Sequence, residues 1–67
     1  MSETIVLTVP AIRCGNCEAA IRREVGSVEG VESVEVDLDG KLVTVRGYGL
    51  RDERLRAAID EAGFDVA

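Results

Sequence analysis

The only sulfur nucleophiles in this 67-residue chain stand close together, in the run Cys14-Gly15-Asn16-Cys17. A Cys-x-x-Cys pair serves three kinds of chemistry: soft-metal binding, thiol–disulfide exchange, and one half of a four-ligand zinc site. The apolar spacing that follows Cys17 predicts a helix starting there, with Cys14 on the loop before it. Backbone N–H groups and the dipole at a helix N-terminus favour a thiolate. From these positions the two sulfurs can converge on one ion outside the core. Soft thiolates select soft cations, Cu(I) above all, and two of them satisfy Cu(I) in near-linear coordination. Zn²⁺ wants about four ligands. The chain has no His, so Glu18 or water would have to complete a zinc shell.

Two other readings compete for the same residues. A thiol oxidoreductase would use Cys14 as nucleophile and Cys17 as resolving thiol. The chain is short for a thioredoxin-like fold, however, and lacks the aromatic and proline that usually accompany such a site. Two incidental thiols at a helix start are the bland alternative, but exposed paired thiols are a liability unless used.

Periodicity supplies the elements that must position the pair. Thr4 to Val9 alternates, with Ile5, Leu7 and Val9 on one face, and reads as a half-buried strand ended by Pro10. Ala11 to Asn16 reads as a loop. After it, Ala20, Ile21, Val25 and Val28 recur at helical steps, with Asn16 as N-cap and Gly26 and Gly30 at the exit. Val31 to Leu38 alternates again through Val34, Val36 and Leu38. Asp39-Gly40 is a hairpin signal, and Lys41 to Arg46 returns with Leu42, Val43 and Val45. Gly47-Tyr48-Gly49 breaks that strand. A second helix spans Asp52 to Ala62, striped by Leu55, Ala58, Ile59 and Ala62, with Asp52 capping its start and Gly63 its end. Phe64 to Val66 is a short last strand. The order βαββαβ commonly closes into an α+β ferredoxin-like sandwich, a four-stranded antiparallel sheet with both helices on one face. That topology puts Cys14 and Cys17 at the same end as Gly63 and Phe64. The expected core is Ile5, Leu7, Val9, Ile21, Val25, Val34, Val36, Leu55 and Ile59.

Composition sets limits around this. The chain is 46% hydrophobic and 31% charged, a balance that suits one folded soluble domain over residues 1–67. A net charge of −5 and two aromatics, Tyr48 and Phe64, argue against nucleic-acid binding. No stretch approaches the ~20 apolar residues of a membrane span, and the N-terminus does not resemble a secretory signal. A cytoplasmic location follows as the expectation, and its reducing pool disfavours a structural disulfide.

The segment Val9-Pro10-Ala11-Ile12-Arg13-Cys14-Gly15-Asn16-Cys17 resembles the metal loop of heavy-metal-associated domains, which reads Gly-Met-x-Cys-x-x-Cys between a strand and a helix. Val28-Glu29-Gly30-Val31 and Ile59-Asp60-Glu61-Ala62-Gly63-Phe64 also look like this family, so the resemblance spans essentially the whole chain. Such domains occur as free copper chaperones and as N-terminal modules of copper-transporting ATPases. The resemblance implies a non-enzymatic bacterial-type chaperone with Cys14 and Cys17 as ligands of one Cu(I). Its partner would be a domain of a copper-transporting P-type ATPase. Without metal it would be a monomer, with a metal-bridged dimer left open.

Phe64 matches a position where bacterial members often carry an aromatic beside the loop, which shields the site without ligating; a core aromatic closing the last strand is an equal reading. Ala11 and Ile12 depart from the family's Gly and Met. That Met is a buried anchor, so Ile12 can keep the packing with less flexibility. Arg13 stands where members serving zinc, cadmium or lead pumps often carry Asp. A cation there disfavours a divalent ion and offsets the negative charge of a bis-thiolate Cu(I) centre; a solvated loop residue is the bland alternative.

Overall fold

A computed structural model describes residues 2–13 and 15–67; Cys14 lies outside the described residues. The alternating first segment forms β1 (Glu3–Thr8), and the first amphipathic stretch forms α1 (Gly15–Gly26). The hairpin strands are β2 (Val31–Asp37) and β3 (Leu42–Gly47), and the second helix is α2 (Asp52–Glu61). β3 lies in the centre of the sheet, antiparallel to β1 on one side and to β2 on the other. Period-two alternation sends Leu7, Val43 and Val45 to one face, where they meet Ile21 and Val25 of α1 and Leu55, Ala58 and Ile59 of α2 in one cluster. Val6, on the opposite face of β1, is 55% exposed. Both helices therefore cover the same side of the sheet.

The expected core is buried at Leu7, Val9, Ile21, Val25, Leu55 and Ile59. Ile5, Val34 and Val36 pack against it while keeping some exposure. Val34 and Val36 lie on β2, which has a single strand neighbour, whereas Val43 and Val45 on the central strand are fully covered.

The four-stranded sheet needs correction. Among the described residues the sheet has three strands, and Phe64 to Val66 is not one of them. The end of α2 explains why. Gly63 adopts φ 94°, and its N–H donates to the Asp60 carbonyl at 2.9 Å. The Phe64 N–H donates to the Ile59 carbonyl at 3.1 Å. Together these make a Schellman end, with Phe64 and Ile59 in the same apolar cluster. The first amide available for a new ladder is thereby committed to the helix. Beyond it, the Ala67 N–H reaches the Thr8 carbonyl at 2.8 Å. Phe64 and Val66 still face the core while Asp65 and Ala67 are exposed. The side chains alternate as a strand would, without the repeated bonds that make one.

Both proposed N-caps also shift. Asn16 lies inside α1, which begins at Gly15, and Asp52 is the first residue of α2. Arg51 holds the cap position, with the extended backbone that an N-cap requires (φ −123°, ψ 124°). The Asp52 carboxylate instead accepts a hydrogen bond from Arg56 Nε at 2.6 Å, one turn along the helix. At the hairpin, Asp37 pairs with Leu42 and leaves residues 38–41 as the loop. The N–H groups of Asp39 and Gly40 both donate to Asp37 Oδ1 at 3.0 Å. The positive φ falls on Lys41, at 59°, rather than on a glycine.

Candidate metal centre

The strand register puts the cysteine loop and the hairpin at one end of the molecule, because Thr8 pairs with Leu42. Past Thr8 the chain turns sharply: the Ile12 N–H donates to the Val9 carbonyl at 3.2 Å around Pro10 and Ala11. Proline pre-sets the φ that the second position of such a turn needs. Val9 and Ile12, at the two ends of the turn, have no exposed surface. The loop is thus pinned from below by two aliphatic side chains before it reaches the exposed Arg13. The hairpin holds it from the side. The Val9 N–H donates to the Lys41 carbonyl at 2.8 Å, and Lys41 Nζ donates to the Ile12 carbonyl at 2.5 Å.

Cys17 is the third residue of α1, half-buried and packed against the core. It therefore sits in the first turn, where backbone N–H groups have no helical acceptor and can face an anion. Cys14, the other expected ligand, lies outside the described residues. Glu18 pairs with Arg22 through Oε2 and Nε at 3.3 Å, so this carboxylate has a partner one turn down the helix. Among the described residues, no three His, Cys, Asp or Glu side chains gather into a metal cage. Phe64 packs on the core directly after the Gly63 turn, and the bond from Ala67 to Thr8 brings the tail to the end of β1. The α2 exit, the hairpin and the cysteine loop thus share one end.

Lys41 is the feature that sequence reading missed. A lysine beside a turn glycine resembles solvated surface. The available signal was topological: in a βαββαβ order the central hairpin returns to the end where the first loop leaves.

Residues 6–65 match the heavy-metal-associated domain family. The chain belongs to that family. Among curated relatives, heavy metal-associated isoprenylated plant protein 31 of Arabidopsis thaliana is 36% identical over 63 residues, covering 94% of this chain. The chain spans only 45% of that plant protein's length. The copper chaperone CopZ of Staphylococcus aureus (strain MRSA252) is 30% identical, with 91% of this chain and 93% of that one covered. A copper-exporting P-type ATPase of Vibrio cholerae is 33% identical over 97% of this chain, which corresponds to 7% of the ATPase. Among solved structures, a CopZ metallochaperone superimposes with a TM-score of 0.91 at 27% identity, covering 97% of this chain and all of that one. This heavy-metal-associated domain has, among its described residues, no helix long and apolar enough to cross a membrane.

Proposed function

We propose that this heavy-metal-associated domain is a cytoplasmic copper(I) chaperone, without enzymatic activity, acting as a single domain over residues 1–67. It holds one Cu(I) between Cys14 and Cys17 and passes it to a domain of a copper-transporting P-type ATPase. The observation that carries this reading is Cys17 in the first turn of α1, three residues after Cys14, in a chain whose family match spans that motif. Relatives named as a copper chaperone and a copper-exporting ATPase support the metal and the partner. Two-coordinate Cu(I) has open coordination space. A partner thiolate can enter before either host thiolate leaves, so the ion moves through a three-coordinate bridge and is never free.

The test is anaerobic titration of the reduced protein with Cu(I) and separately with Zn(II), under chelator competition. One Cu(I) per chain is expected, held far more tightly than Zn(II), with Cys14→Ser and Cys17→Ser each abolishing tight binding. Unchanged affinity in both single variants would place the ligands elsewhere. Transfer to a copper-pump domain should proceed despite a moderate chelator that captures only free ion. Interception of the copper by that chelator would leave metal buffering as the better reading.

A further inference from the structure

We propose that Lys41 is a positioning residue for the metal loop, a two-point clamp whose carbonyl holds Val9 and whose ammonium holds Ile12. Three observations converge on it. First, Lys41 occupies the left-handed region at φ 59°, which residues with a Cβ adopt rarely and which persists where the surroundings determine it. Hairpin geometry alone would be served better by glycine at this position. Second, the side chain is half-buried, and Nζ bonds a carbonyl 29 residues away in sequence. The apolar stem is covered while the charged head reaches its acceptor. Third, the two bonds fall on the two ends of one tight turn, Val9 and Ile12, whose side chains are fully buried. The turn is thereby tied to the hairpin at both ends and to the core beneath, just before Arg13.

The clamp also has an electrostatic side, which rests on the proposed copper binding. Two thiolates and one Cu(I) carry a net negative charge. An ammonium held by the carbonyl of Ile12, two residues before Cys14 in the chain, would favour that charge. A charge-assisted bond is stronger than a neutral one, so loop order and metal retention should both depend on it.

The test compares Lys41→Met, Lys41→Gly and Lys41→Arg with wild type. Three quantities are read: amide order parameters of Ile12, Arg13 and Gly15 in the metal-free protein, global stability in urea, and Cu(I) release to a chelator. Lys41→Met and Lys41→Gly should lower the order parameters at Arg13 and Gly15 and release Cu(I) about tenfold faster, the scale set by one charged hydrogen bond. Lys41→Gly, relieved of the positive-φ strain, should unfold at no lower urea concentration than wild type, which separates loop order from fold stability. Lys41→Arg should keep loop order and release near wild type. Unchanged order parameters in Lys41→Met and Lys41→Gly would overturn the clamp, as would loop disorder that only tracks a loss of global stability. Failure of wild type to bind Cu(I) would sink the copper reading, while the order parameters would still decide the clamp.

Discussion

Replacing Ile12 with alanine removes Cγ1, Cγ2 and Cδ1 from a side chain with no exposed surface. Transfer of those carbons alone accounts for roughly 2.4 kcal/mol at ~0.8 kcal/mol per buried methylene. The cavity left behind adds to this, and measured losses for such truncations run to about 2–5 kcal/mol. Ile12 lies under a turn bonded to the hairpin at both ends, which limits collapse into the space, so a loss of about 3 kcal/mol is expected. A domain of this size has roughly 3–10 kcal/mol in total. One residue of the cysteine loop is therefore expected to carry a large share of the stability of the whole fold. Urea unfolding of the reduced, metal-free protein measures it, with the m-value unchanged and the midpoint lowered. A loss below ~1 kcal/mol would refute the reasoning, because it would mean that the loop root is not part of the core.

Ile12→Met conserves apolar volume and should cost less than ~1.5 kcal/mol; titration should still show one Cu(I) per chain, with the change appearing in metal exchange rate. Gly47→Ala would drive a Cβ into the carbonyl of Gly30, which already accepts the Tyr48 N–H at 2.8 Å. A stability loss of about 2–3 kcal/mol in urea is expected from that overlap. Gly63→Ala meets no neighbouring atom within 4 Å, so its loss comes from the backbone at φ 94° alone and should be about 1 kcal/mol in the same assay. Arg56→Ala breaks an exposed pair with Asp52 and should shift stability by ~0.5 kcal/mol or less, disappearing at high salt.

Side-chain periodicity made the two helices and three strands legible, because burial on one face is what those periods encode. In the third strand the adjacent Leu42 and Val43 leave the inward face ambiguous from sequence. The register resolves it: Val43 stands between Leu7 and Val36, and Val45 between Ile5 and Val34. Ile12 under the loop was legible from the family resemblance, and the structure buries it fully. The missing fourth strand was not legible. Alternation of Phe64 and Val66 reports which side chains face the core, and says nothing of an amide already committed to closing a helix. Both caps were misplaced for a related reason: side-chain chemistry at Asn16 and Asp52 suits a helix start, but backbone angles decide which residue stands outside it, and both residues lie within their helices. Cys17 at the head of α1 followed from the switch in period. The Lys41 contacts depend on a long-range fold, which local spacing does not express.

The pairing of β1 with β3 joins residues 3–8 to 42–47, whereas the β2–β3 hairpin closes across residues 38–41. Closing a long loop costs more entropy than closing a short one, and non-local contacts are rewarded late in folding. The hairpin is therefore expected to form early and β1 to dock afterwards. Both bonds from Lys41, to Val9 and Ile12, span the same long gap, so the turn between those residues is expected to be fixed only when the first strand arrives. Mutational φ-values should be higher in the hairpin than at Val9 and Ile12. Before that docking step the turn from Val9 to Ile12 lacks both of its holds on the hairpin; its ordered shape becomes a property of the finished fold, acquired at one of its last steps.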